Sequence, residues 1–506
     1  MSTDHTLAKA PSKEQEAFEE RLDAAGQLEN GGLEERARLE KKLVRKLDAR
    51  FCMCVDLLSV SVSPASVGDR ALNYIDRNNV SAARTKGFEE DLGLKGREYD
   101  TLLSILYVGY IIMQIPSNII VQYTGRPSLW LPTCMAIWGA ISCATGSTHN
   151  FVGALLTRFF LGFVEAAFFP GALMVLASWY KKTELGVRFT LLYCGSLISN
   201  AFGPLIAAGI LGGMEGKLGH PAWRWLFWIE GAITVAVAIV AIFVLPDFPH
   251  NSRWFTKEEK ELAQLRMTED VGTKDETTIS TLAALRLAVS DYKLWVMALS
   301  FTSMTIGLSF NQFFPQLTRT LGYSNTASLL LCAPPFFFAA ICAFAVSRHA
   351  DKVQERYLHI VIPLLLGIVG FIIAMTTSSF GPRYFSLFLM AQSYSGFVCF
   401  LAWVSSTFAR PAMTRSISLA AVNALAQLGN VAGAYCFTKE WAPSYAKSYA
   451  ICIGTFVFCI LGCTWHRFDL GRLNKKLAAR DEGDNTVAVP KGLSYELFPR
   501  GYRYTQ

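Results

Sequence analysis

The chain has 506 residues, 52% of them hydrophobic and 17% charged, with a net charge of +7. That apolar excess is above what a soluble protein carries, and it is gathered into runs of about 20 residues, the length that crosses a bilayer core as a helix. The positive balance fits basic loops against an anionic membrane surface, and no basic stripe interleaved with aromatics lies outside the apolar runs, which argues against nucleic acid as a partner.

In chain order, residues 1–50 read as a cytosolic N-terminal tail. It is rich in helix formers of alternating charge, broken near Gly31–Gly32, and basic from Lys41 to Arg50. No cleavable leader is expected in this charged tail, so the first span is expected to act as the insertion signal. Residues 51–246 read as an N-terminal half. Its opening stretch, FCMCVDLLSVSVSPASVGDRALNYI, is long enough to span but is interrupted by Asp56, Pro64, Gly68, Asp69 and Arg70. Two readings stand: a kinked, weakly apolar first helix, or an insertion over residues 59–70 of the kind a retained intron leaves. Apolar runs follow at 101–122, 127–146, 149–178, 187–211 and 224–246. Residues 247–290 are charged and read as a central cytosolic loop. Six further runs, at 291–315, 325–347, 357–377, 383–406, 413–437 and 446–466, make a C-terminal half over 291–466. Residues 467–506 read as a cytosolic C-terminal tail.

The pattern predicts an all-α membrane protein with twelve transmembrane helices in two six-helix halves, the major facilitator fold. Basic residues (Arg126, Lys181, Lys182, Arg188, Arg348, Lys352, Arg356, Arg410, Arg415) fall in the connections on the side of the termini, and short connections on the other side hold few. By the positive-inside rule both ends are cytosolic. The twelve cysteines are scattered, mostly within apolar runs and without a CxxC pair, and read as buried thiols rather than a disulfide frame or metal site.

The run RFFLGFVEAAFFPGALMVLASWY is apolar enough for lipid yet carries Arg158 and Glu165. Seven residues make about two helical turns, so the two share one face, roughly 10 Å apart. Ionisable groups at membrane depth face a bundle interior or a wet cavity and are functional by default; a structural ion pair locking two helices is the plain alternative. Asp76 and Arg77 form a second charged site, which from sequence alone reads equally as an interfacial pair at the end of the first helix.

The runs LNYIDRNNVSAAR, GYIIMQIPSN, RFFLGFVEAAFFPG and WRWLFWIEG resemble the anion:cation symporter family of the major facilitator superfamily, which includes fungal allantoate, nicotinate, biotin and pantothenate permeases and bacterial sugar-acid transporters. The likeness covers roughly residues 45–470 and is more specific in the first half. It implies that Asp76 and Arg77 sit midway along the first helix, facing a central cavity. It further implies that Asp76 and Glu165 are proton-coupling carboxylates, that Arg77 anchors the substrate, and that Arg158 tunes Glu165. Arg suits a carboxylate because its planar fork meets both oxygens. Tyr74, Tyr110 and Trp403 match family positions facing substrate, although a lone Tyr in a span also fits an interfacial belt. Asn423 and Gln427 share a helix face at i, i+4 and either contact substrate or join helices; Asn311 and Gln312 are weaker candidates of the same type. SRHADKVQER, with Arg348, Asp351 and Arg356, resembles the superfamily's gating loop, whose charges clasp a neighbouring helix end; the corresponding loop QYTGRPSLW lacks the acid. Both loops also serve the positive-inside rule alone.

Other signals are discounted. The sequon Asn79-Val80-Ser81 lies at membrane depth, the glycine pairs lack a preceding strand, and there is no nucleotide-binding P-loop. No metal, cofactor or enzymatic activity is expected. The expected function is proton-coupled symport of a small organic anion, a vitamin-like or nitrogen-source carboxylate, by a monomer in the plasma membrane. The alternatives are a non-transporting nutrient sensor of the same fold, or a non-functional product if the insertion in the first helix is real. Sequencing the transcript tests the intron: a mature messenger that carries the codons for 59–70 rules it out.

Overall fold

The computed structural model describes residues 33–56, 77, 79–271, 281–408, 412–482 and 504. Among these residues all regular structure is helical. The proposed insertion at 59–70, with Tyr74 and Asp76, lies outside them.

A long helix, α1 (Leu33–Asp56), leads towards the first span, which is helical at Arg77 and again over 79–84. A short loop helix, α2 (Phe88–Asp91), precedes α3 (Glu98–Thr124), α4 (Pro127–Gly146), α5 (Phe151–Glu165), α6 (Phe168–Trp179), α7 (Lys182–Gly213) and α8 (Ala222–Val244). The central loop holds α9 (Lys257–Val271) and α10 (Thr281–Ser290). The second half runs through α11 (Tyr292–Gly307), α12 (Phe314–Arg319), α13 (Asn325–Leu330), α14 (Ala333–Val353), α15 (Tyr357–Thr376), α16 (Phe380–Gln392), α17 (Tyr394–Thr407), α18 (Ala412–Gly433) and α19 (Ala446–Asp481). Several spans are broken into two pieces, so that twelve spans in two six-helix halves use more helices than spans.

Each break and each exposed face has a local cause. The fourth span divides at Ala166–Ala167 between α5 and α6, four residues before Pro170, which has no N–H to return to the carbonyl of residue 166. The outward face of α15 shows lipid-facing spacing. Ile362, Leu365, Val369 and Ile372 are exposed, while Ile360, Leu364 and Phe371 are buried. A contiguous apolar face of this kind is stable only against lipid or another protein. The last span continues as one helix to Asp481, fifteen residues beyond the apolar run that ends at 466. Tyr504 packs back against it, with its backbone N–H on the Asn474 side chain at 2.7 Å and its ring beneath Lys293.

The end of the bundle bearing the central loop is more structured than a solvated loop. Leu43 and Leu47 of α1 are buried with Trp179, Tyr180, Phe255 and Leu262. Arg266 of α9 is 1% exposed and donates to Glu40 of α1 at 3.2 Å and Glu184 of α7 at 2.6 Å. Lys181 reaches Glu40 at 3.1 Å, and Lys46 reaches Glu259 at 2.7 Å. Burial works to raise the Glu40 carboxyl, but Lys181, Arg266 and Arg36 outweigh it and hold the group below the usual carboxylate range. The α1 helix and the central loop are therefore clamped onto the first half.

The first half is held by close backbone approach between α3 and α5. A Cβ on Gly162 would fall on the Leu106 carbonyl, and one on Gly109 would fall on the Phe159 carbonyl. Gly162→Ala is expected to lower the melting temperature of the purified protein, at a cost of about 1–3 kcal/mol. Gly209→Ala, where a Cβ meets open space, is expected to leave it unchanged or raise it slightly.

Candidate functional site

Arg77 from the first span meets Glu165 at the last residue of α5, with Nε 2.5 Å from Oε1. The arginine side chain is 11% exposed and the glutamate 2%. Glu165 is the last residue of α5, where the fourth span loosens over Ala166–Ala167 while keeping helical dihedrals. On its other sides the guanidinium lies over the ring of Tyr110 at 4.7 Å and of Tyr107 at 5.7 Å, both on α3. Among the described residues, the faces of Tyr107 and Tyr110 and the carboxylate of Glu165 thus share the charge of this arginine in a site shielded from water.

Two residues further along, the Asn79 amide donates to Glu230 of α8, both side chains being buried. Two residues turn a helix by about 200°, so α5 and α8 grip the first span from opposite sides. Glu230 is the acid that reading the sequence missed. It lies in the quoted run WRWLFWIEG, and the rule that located Glu165 would have found it. The buried contact of Asn79 is also incompatible with glycosylation at that sequon.

Arg158, 2% exposed, lies over Phe227 at 5.7 Å, one turn from Glu230 on α8. The ion pair described for Glu165 comes from Arg77, not from Arg158 on its own helix. Arg158 instead lines a cavity of about 20 Å³ together with Arg77, Ser81, Leu103, Tyr107 and Gln312. A second cavity of about 20 Å³ is bordered by Asn79, Ser81, Asn200, Asn311, Pro315 and Phe336. Each has room for about one water molecule.

The second half contributes Gln312, whose amide reaches the Tyr107 hydroxyl at 3.4 Å, and Asn311 on the second cavity. These two weaker candidates are the ones the fold brings to the first half. Gln427 is engaged within its own helix, accepting from Asn430 at 2.8 Å, and neither it nor Asn423 borders the two cavities. Trp403 does not border them either. It is fully buried and edge-on to His466 of α19 at 4.8 Å, so its indole faces the interior of the second half. In the loop SRHADKVQER, Arg356 pairs with Asp351 at 2.5 Å while Arg348 is exposed. The matching loop of the first half, which lacks an acid, borrows one. Asp247 beyond α8 accepts from the Ser128 N–H at the start of α4 at 3.1 Å, and its carbonyl accepts from Trp179 at 3.0 Å.

The halves are hydrogen-bonded at the end that carries the 85–98 loop. Ser81 and Gln316 bond at 3.3 Å, Asn325 donates to the Thr85 carbonyl at 2.8 Å, and the Tyr435 hydroxyl meets those of Thr101 and Ser104 at 3.2 Å each. The ion pairs described at the opposite end each lie within one half or link α1, the central loop and the first half. Among the described residues, no group of His, Cys, Asp and Glu is placed to hold a metal ion.

The family model of the Major Facilitator Superfamily matches residues 70–434. The chain belongs to this superfamily. It is similar to an MFS-type transporter, cnsO, of Penicillium expansum, with 32% identity covering 87% of this chain and 85% of that one. It is likewise similar to a major facilitator-type transporter, hxnP, of Emericella nidulans, with 30% identity covering 87% and 88%. Among solved structures, a bacterial homolog of the human lysosomal transporter Spinster, in an inward-facing and unoccupied conformation, superposes with a TM-score of 0.60 at 17% identity, covering 78% of this chain and 93% of that one. This major facilitator is therefore an integral membrane transporter, not an enzyme.

A direct test of the two-sided grip is Asn79→Asp, which sets a second carboxylate against Glu230. The expected outcome is a lower melting temperature at neutral pH that recovers as the pH is lowered and the pair shares a proton. An unchanged melting temperature at neutral pH contradicts the contact.

Proposed function

We propose that this transporter carries a small organic anion together with a proton, and that Arg77 and Glu165 couple the two. The observation that carries this reading is the buried ion pair between them. Arg77 is the natural anchor for a carboxylate, yet Glu165 Oε1 already holds its Nε. A proton on Glu165 removes the competing charge and frees the guanidinium. A passenger carboxylate then takes the vacated position, against the faces of Tyr107 and Tyr110. Proton and anion therefore favour each other's binding, because each weakens the same internal pair. With both bound, the charges in the site balance, and the halves can rock without dragging an unpaired charge through a low-dielectric space. Release of the anion lets Arg77 recapture Glu165, which expels the proton.

Asp76, next to Arg77 in the chain, is proposed as a second proton carrier on the strength of the family resemblance. Arg158 borders the same cavity and supplies a second positive charge towards the passenger. Gln312 and Asn311 are proposed as contacts from the second half, and Asn423 and Gln427 join them only if that half moves. The positive-inside rule places the central-loop end in the cytosol. The passenger class is a vitamin-like or nitrogen-source carboxylate, and the chain works as a monomer because one chain supplies both walls of the site.

Uptake of labelled nicotinate, pantothenate and allantoate into proteoliposomes under an imposed pH jump tests the reading. Accumulation of one of them that collapses with the proton gradient supports symport. Binding without pH-driven accumulation indicates a sensor and contradicts it. Glu165→Gln is expected to abolish accumulation while leaving exchange; normal accumulation removes Glu165 from coupling. Arg77→Lys keeps the charge but loses the fork, and half-saturation is expected to rise about tenfold, near 1.4 kcal/mol. An unchanged half-saturation removes Arg77 from the site.

A further inference from the structure

Asp100 stands in the first turn of α3, one residue ahead of the apolar run that begins at 101, and is 5% exposed. It is not part of the charge pair described above. Asp100, Ser104, Tyr107 and Gln114 recur at helical spacing and share one stripe of α3. That stripe faces the boundary between the halves. Ser104 meets Tyr435 of the second half, and Tyr107 meets Gln312 and lines the central cavity. Asp100 lies about 6 Å along the helix from Ser104 and about 10 Å from Tyr107, at 1.5 Å per residue. It therefore lies on the side of α3 that carries the hydrogen bonds closing this end of the bundle.

We propose that Asp100 is a proton-binding site of this gate, ionised when the end is open to water and protonated as the end closes. In the closed form the residue keeps only 5% exposure, and among the described residues the carboxylate receives no side-chain hydrogen bond in exchange. The neighbouring charges are already engaged or exposed. Arg84 of the first span is paired with Glu89 at 2.8 Å and lies over the Tyr99 ring at 4.0 Å. On the same turn of α3, Arg97 and Glu98 lie towards water, and Tyr435 presents only a hydroxyl from the second half. Burial pushes the carboxyl of Asp100 up to about 6, against the opposing charges of Arg84 and Arg97. Tyr99 and Tyr445, also near Arg84, are pushed up by burial and stay neutral across this range.

The sign follows from linkage. An acid whose pKa is raised in the closed form favours that form when protonated. The preference is full below the ordinary value of 3.8, fades as pH rises to about 6 and is absent above it. Over that window the closed-to-open ratio falls about a hundredfold, since one pKa unit is a tenfold change. The gate would thus respond to pH whatever the passenger is, and independently of whether Glu165 couples transport.

The test uses the full chain in lipid nanodiscs, with its native cysteines replaced by alanine and nitroxide labels on Lys217→Cys and Ser378→Cys. These exposed positions lie on loops of the two halves at this end. Pulsed dipolar spectroscopy reads the distance between them from pH 4 to pH 7. The expected result is a short distance at pH 4 and a longer one growing in by pH 6. Asp100→Asn is expected to keep the short distance throughout, and Asp100→Glu to restore the response. A wild-type distance that does not change with pH, or an Asp100→Asn response matching the wild type, overturns the proposal.

Discussion

The structure depends on one buried ion pair. Arg77 and Glu165 belong to different spans, and neither can be left alone in a low-dielectric interior at an acceptable cost. The surrounding architecture keeps them together. The fourth span loosens immediately after the glutamate, the glycines at 109 and 162 let α3 and α5 approach to backbone contact, and two tyrosines of α3 cover the guanidinium. The same constraint makes the pair a device. An interaction that must always be satisfied can be satisfied in two ways, by the internal carboxylate or by a visiting one with the internal group neutralised.

The two ends of the bundle are built differently. At the 85–98 loop the halves meet through hydroxyls and amides, whose individual bonds are worth roughly 1 kcal/mol and can be exchanged for water. At the central-loop end, α1, α9 and the turn before α7 are tied by a network around Glu40 and the buried Arg266. That network ties α1 and the central loop to the first half. It stiffens that half as a unit while leaving it able to move against the other, which is what rocking of two bodies about a central site requires.

Much of the fold was legible because bilayer thickness dictates helix length, and eleven of the twelve apolar stretches coincide with described helices, the larger offsets being the early start of α7, the late end of α14 and the long polar extension of α19. Arg158 and Glu165 were legible because ionisable residues in an apolar run stand out. Their partners were not. Arg77 and Glu165 are 88 residues apart in the chain, and spacing along one helix cannot link them. Glu230 was hidden at the end of a tryptophan-rich run, and the role of Asn79 appears only with its partner. Asp247 supplies the acid that the first gating loop lacks from the far end of another span. Trp403 meets His466 and borders neither described cavity, and a resemblance fixes the helix it sits on but not the direction its ring faces. Each of these depends on tertiary pairing, on which local periodicity is silent.

The central claim is that a passenger carboxylate and Glu165 compete for Arg77, with a proton deciding between them. Calorimetric titration of the purified transporter with the anion it accumulates, repeated at one pH in buffers of different ionisation enthalpy, measures this most directly. The account predicts that each anion bound draws a proton from the buffer, at a pH where Glu165 is ionised in the empty protein. Tight anion binding whose heat is the same in every buffer, with no proton taken up, would contradict it.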